Sequence, residues 1–150
     1  NYRTVAVFRF QMQNILDMKA KLEEQAKNDF AKAQKELADE EEALQALYVR
    51  KESYLAQGVE LRSSAIRVQD ILDNKKAIEH TDGLIEQQKV NVNVAAKKVD
   101  AATKKMMDAR VQTKTYVKLR EKAFENFLAE EAKRESKEID ELNSYRYKNR

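Results

Sequence analysis

Cysteine, proline and tryptophan are missing from this 150-residue chain, and glycine occurs twice, at Gly58 and Gly83. Without cysteine there is no disulfide and no thiolate chemistry, which agrees with a reducing compartment. Without proline no position carries an obligatory helix stop. Two glycines are too few for a fold built on tight turns. Long hydrophobic runs are missing too: none approaches the roughly 20 apolar residues that span a bilayer, and no signal-peptide pattern is expected. Charge of one sign is scarce, because 29 Lys+Arg against 26 Asp+Glu leave a net charge of +3, too little to argue for nucleic acid by itself. His80 is the only histidine, with no companion at ligand spacing, so no metal is expected. There is no glycine-rich phosphate loop and no nucleophile elbow. The carboxylates are spread along the chain rather than paired. The reading is a protein that is not an enzyme and needs no cofactor.

What is present is periodicity. Charged residues make up 37% of the chain, and apolar residues recur on a helical repeat, a pattern of long solvated helices around a thin seam. Ile71, Ile78, Ile85, Val92, Val99 and Met106 fall every seventh residue, with Asn74, Thr81, Gln88, Ala95, Ala102 and Ala109 between them. Such a row, under-wound to a period of 3.5, faces a partner helix throughout. An earlier stretch supplies the partner: Ile15, Met18, Leu22, Ala26, Phe30, Ala33, Leu37, Leu44, Leu47 and Tyr54, with one extra step of four around Ala26. Folding the chain near Leu61 sets Leu44 level with Ile78, Leu37 with Ile85, Phe30 with Val92, Leu22 with Val99 and Ile15 with Met106. In the same register Ala26 faces Ala95 and Ala33 faces Gln88. The expected fold is all-α, a single domain formed by a long antiparallel two-helix coiled-coil hairpin with a protruding C-terminal helix.

In chain order, residues 1–7 show no helical period and stay outside the fold. Phe8 and Phe10 alternate with polar residues. Asn14 is the expected N-cap, with Asp17 favourable in the first turn. Helix one is expected over about 14–56. Its acidic run from Asp39 to Glu42 reads as a solvated face, except that Glu40 lands on the seam opposite Thr81 as a polar layer, either a register device or a local soft spot. Residues 57–63 are the expected turn, with Gly58 ending the helix in a left-handed conformation and Ser63 or Ser64 capping the next. Helix two is expected over about 64–143, passing through Gly83 at a cost of roughly 1 kcal/mol; the alternative at Gly83 is a hinge or a close partner contact.

That register exhausts helix one near Thr113. About thirty residues, Thr115 to Ser144, then project alone over roughly 45 Å at 1.5 Å per residue. Tyr116, Leu119, Phe124, Phe127, Leu128, Ile139 and Leu142 give this overhang an apolar stripe, which calls for a partner or self-association. A basic section from Lys104 to Lys122 reads either as a solvated face or as a contact with an acidic protein surface. Nucleic acid is not the expected partner, because few aromatics are placed to stack bases.

Three stretches stand out in order: Phe8-Arg9-Phe10-Gln11 with Ile15-Leu16-Asp17-Met18-Lys19, then Leu84-Ile85-Glu86-Gln87-Gln88, then Leu119-Arg120-Glu121-Lys122 with Phe127 and Glu130 through Leu142. They resemble, in turn, the start, the segment after the turn and the close of the flagellar FliJ family. The resemblance covers nearly the whole chain. It implies an antiparallel coiled coil like the stalk of rotary ATPases, cytoplasmic and peripheral at the inner face of the inner membrane at the flagellar base. Its implied partners are the hexameric flagellar export ATPase, the cytoplasmic domain of the export gate, and export chaperones. By analogy with rotary stalks the ATPase contact would use Phe8, Phe10, Arg120, Phe124, Phe127, Leu128, Arg134 and Glu138. The gate contact carried over from the family would use Leu47, Tyr54, Leu84 and Gln88. Here the chain departs from the family: Arg50 stands where an aromatic is expected, none lies near Ala77, and Leu47 also belongs to the seam. Alternatives are the equivalent stalk of a virulence type III secretion system and an export chaperone holding cargo on the overhang.

Overall fold

A computed structural model of the chain describes residues 6–64 and 67–149. Two helices account for almost all of them: α1, Gln13–Ser63, and α2, Val68–Lys148. They pack antiparallel as the expected all-α hairpin. No described residue lies in a strand. The chain divides into two compact units, Ala26–Met106 and Asn1–Gln25 with Met107–Arg150.

In Ala26–Met106 two polar layers fix the register. The Asn74 amide donates to the backbone carbonyl of Tyr54 at 2.9 Å and more weakly to the Gln57 amide oxygen at 3.4 Å. The Gln88 amide donates to the Glu40 carbonyl at 2.9 Å and to the Glu40 carboxylate. Tyr54 and Glu40 are as far apart on α1 as Asn74 and Gln88 are on α2, so one register serves both layers. It places Leu47 opposite Thr81, Ala33 opposite Ala95 and Leu44 level with Ile85. Ala33, Thr81, Ile85 and Ala95 are buried.

This register is one heptad away from the expected one, which had set Glu40 against Thr81 and Ala33 against Gln88. The observed pairing puts polar against polar and alanine against alanine. The fold point moves with it. Helix α1 continues to Ser63, seven residues past the expected end, and the expected turn over 57–63 is helix. Gly58 does not terminate it, since no described glycine has a positive φ. It serves close approach instead: a methyl group placed there would lie 2.7 Å from the Asn74 side-chain oxygen. Ser63 and Ser64 do not cap α2; both hydroxyls donate back to the Glu60 carbonyl, at 3.0 and 2.9 Å, closing the last turn of α1. The expected start of helix two falls next to residues 65 and 66, which lie outside the described set, and α2 begins at Val68. Gly83 lies within α2 as expected, with open space around it.

In the unit Asn1–Gln25 with Met107–Arg150, Thr113 donates to the Lys19 carbonyl at 3.1 Å and also to its own Ala109 carbonyl. Leu16 is buried at 9%, while the expected seam residues Ile15, Met18 and Leu22 are exposed at 37, 51 and 48%. The half-buried neighbours of Leu16 are Met12, Lys19 and Glu23. The seam therefore sits one residue later than apolarity suggested, and no extra step is needed around Ala26. Two charged side chains, Lys19 and Glu23, lie half-buried along it. The start of α1 also differs: Gln13, not Asn14, opens it, with its N–H on the Phe10 carbonyl at 3.1 Å and its side chain donating to Asp17 at 2.9 Å.

Candidate functional site

The expected ATPase-binding residues all lie in the unit Asn1–Gln25 with Met107–Arg150. Of residues 1–7, expected outside the fold, 1–5 are not described, and Ala6 is half-buried. The non-helical segment that follows carries Phe8 onto α2. The Phe8 ring meets Phe124 edge-on at 5.1 Å, 67° between planes, and Phe127 at 5.5 Å. Phe124 and Phe127, three residues apart and thus on one face of the helix, lie 6.4 Å apart with near-parallel rings. The Arg120 guanidinium caps this group from 5.7 Å above the Phe8 ring, while its Nε–H donates to the Gln13 side-chain oxygen at 3.0 Å. Each aromatic pair adds roughly 0.5–1.5 kcal/mol beyond its buried area, and an exposed cation–π contact about 0.5–1. The cluster tethers the start of the chain to α2.

The tether changes what counts as overhang. Expected to begin near Thr115, it begins a dozen residues later, because Tyr116, Ala123 and Phe127 are half-buried. From Ala132 to Asn149 every residue is exposed, Glu131 being the last half-buried one. Leu128, Ile139 and Leu142 stand at 50, 51 and 52% exposure. Arg134 pairs with Glu131 at 2.8 Å, and Glu138 is exposed one turn further on. Of the eight expected residues, Phe8, Arg120, Phe124 and Phe127 come together. Phe10 is half-buried beside α1, with its carbonyl accepting from Gln13. Leu128, Arg134 and Glu138 are spread along the projecting helix. Gln13, which positions Arg120, was not anticipated; a glutamine at a helix start gives no signal of such a contact.

The expected gate residues lie in the other unit, Ala26–Met106. Leu47 and Tyr54 are half-buried on the seam row of α1, Gln88 is committed to Glu40, and Leu84 is half-buried. Close by, the Lys51 amine pairs with Asp82 at 2.7 Å across the helices. The amine of exposed Lys89 is raised above its ordinary pKa, first by its hydrogen bond to the Glu86 carboxylate and then by that group's charge. An open groove of about 430 Å³ runs beside Gly58, lined by Leu61, Arg62, Ile71, Asn74 and Ile78. Among the described residues no cluster of His, Cys, Asp or Glu could hold a metal ion. No described helix is long and apolar enough to cross a membrane.

Comparison with known proteins bears on the fold and the family. No curated protein matches the chain. A solved structure described as a putative YscO homolog from Chlamydia trachomatis is similar in fold, with a TM-score of 0.75 at 19% identity, covering 95% of this chain and 96% of that one. The family model described as flagellar FliJ protein matches residues 8–150, which begin at the Phe8 that anchors the aromatic cluster. The chain belongs to the flagellar FliJ family.

Proposed function

We propose that this protein is the stalk and coupling component of a flagellar type III protein export apparatus, binding and activating the export ATPase ring and linking it to the export gate and export chaperones. Its role is mechanical and regulatory rather than catalytic, and its working location is the cytoplasmic face of the membrane at the flagellar base. The observation that carries the reading is the tethered aromatic cluster leading into a bare helix. Phe8, Phe124, Phe127 and Arg120 brace the base of the projection, and Leu128, Arg134 and Glu138 continue along it. A braced, solvent-exposed helix suits insertion into a ring of subunits, because the brace limits the ordering entropy lost on binding. The same chemistry suits the stalk of a virulence secretion system, which the fold of the YscO-like neighbour favours; the family match favours the flagellar one.

Titration calorimetry of the chain into the export ATPase, and separately into the cytoplasmic gate domain, tests this. Phe124→Ala with Phe127→Ala should abolish heat with the ATPase and leave the gate titration unchanged. Leu84→Ala with Tyr54→Ala should do the reverse. Loss of both or neither in each variant counts against the assignment. Binding of a flagellar subunit in place of both partners moves the reading to an export chaperone.

A further inference from the structure

Within the unit Met107–Arg150 with Asn1–Gln25, α2 carries a second heptad row that the hairpin does not use. The seam row, through Ala109, Thr113, Tyr116 and Phe127, is half-buried; the row on the opposite side, offset by alternately two residues and one and so about 150° around the helix, is exposed throughout. It runs from Val111 to Leu142 in alternating steps of three and four. Its apolar members include Val111, Leu128, Ile139 and Leu142, exposed at 61, 50, 51 and 52%. Its charged members are arranged by sign: Lys114 and Lys118 come first, then Glu121, Glu125 and Glu135.

We propose that this row is a homotypic surface that pairs antiparallel with the same row of a second copy, about a twofold axis near Asn126 and Phe127. In that register Val111 lies against Leu142 of the other copy and the stem of Lys114 covers Ile139. Lys118 meets Glu135, Glu121 meets Ala132 and Glu125 meets Leu128. The contact is isologous, so each pair occurs twice.

The charges choose this arrangement among closed twofold pairings. A parallel, in-register pair would stack Lys118 on Lys118 and Glu125 on Glu125. An antiparallel pair slipped by one heptad sets Glu121 against Glu125 in one direction and Glu125 against Glu135 in the other. Slips of two heptads avoid like charges only by giving up about half the overlap. Like charges directly opposed are destabilising, so sign pattern sets orientation and register as flanking charges do in coiled coils. With half of its members polar, the row specifies a concentration-dependent dimer rather than an obligate one. The aromatic cluster at Phe8 and Phe124 is not part of it; Leu128 is shared with the ring contact proposed above, but the inference does not rest on that function.

Sedimentation velocity of the full chain, from low to high micromolar at low and high salt, tests the proposal. A shift toward twice the 17.5 kDa monomer mass is expected, weakening with salt. Lys118→Glu and Glu135→Lys should each weaken dimerisation by about tenfold or more, and the double variant should restore it. Far-ultraviolet circular dichroism checks that all three remain helical. Because the chain has no cysteine of its own, mixing Glu121→Cys with Ala132→Cys protein reads orientation directly. A mixed disulfide supports the antiparallel register, whereas Ala132→Cys crosslinking to itself overturns it. A chain monomeric at every concentration, or a double variant no better than the singles, also overturns the proposal.

Discussion

Substitution of the two glycines by alanine should give opposite results, although both lie inside helices. Alanine in place of glycine within a helix is worth roughly 0.8–1.0 kcal/mol from backbone entropy and helix propensity. At Gly83 nothing stands within 4 Å of the new methyl group, so Gly83→Ala should stabilise the fold by about that full amount. At Gly58 the methyl group would lie 2.7 Å from the Asn74 side-chain oxygen, and Asn74 is held in place by its own hydrogen bond. It is buried at 8% and holds the Tyr54 carbonyl at 2.9 Å. Displacing it breaks that hydrogen bond and leaves a buried amide unsatisfied, at about 1–3 kcal/mol. Against the helical gain, Gly58→Ala should therefore destabilise by about 1 kcal/mol net, with an upper bound near 2. Urea unfolding followed by circular dichroism reads both as shifts in midpoint at unchanged slope. The decisive arm is the double-mutant cycle: in an Asn74→Ala background the obstruction is gone, so Gly58→Ala should become stabilising. If Gly58→Ala stabilises the parent chain as much as Gly83→Ala does, or if its sign does not change when Asn74 is truncated, the close-approach argument is wrong.

Three further predictions follow from the seam and the cluster. Leu16→Ala should cost about 2 kcal/mol whereas Met18→Gln stays within about 0.5 kcal/mol; unfolding curves with the larger loss at Met18 would restore the seam at Ile15, Met18 and Leu22. Replacing the polar layer as a pair, Glu40→Leu with Gln88→Leu, should raise stability by about 1 kcal/mol or more, while Gln88→Leu alone lowers it by leaving Glu40 half-buried without its donor. Spin-label distances across the helices should broaden in the double variant as heptad-slipped registers become accessible; a narrow distribution would show that the layer does not set register. Phe8→Ala should speed amide hydrogen exchange through the helical turns around Phe124 and leave the amides around Ile85 unchanged, and equal protection at both sites would contradict the tether.

The helical hairpin could be read directly from the sequence because a seven-residue apolar repeat sustained over ten turns has no other stable use, and the absence of proline removed every competing break. Its register could not be read from apolarity. Ile78 and Ile85, like Val92 and Val99, are interchangeable under a slip of one heptad, so the large layers match equally well in either register. The discriminating information lies in the small and polar layers: Ala33 with Ala95, Glu40 with Gln88, and Asn74 against the bare backbone of Gly58. Glu40 was recognisable as a polar seam layer, but its partner required pairing polar with polar. Leu16, Lys19 and Glu23 were passed over for Ile15, Met18 and Leu22 because charged stems in a seam look like surface in a sequence. Phe124 and Phe127 stood out by their helical spacing. The ring that covers them comes from Phe8, in a segment without periodicity, and a contact across more than a hundred residues leaves no trace in local pattern.

The most direct test of the proposed role is the hydrolysis rate of the cognate export ATPase with and without this protein, with the Phe124→Ala, Phe127→Ala variant as the control for the cluster. Stimulation by the parent chain, lost in a variant that keeps its helical content, is the result the stalk reading predicts. A folded parent chain that binds the ring yet leaves its rate unchanged would contradict it.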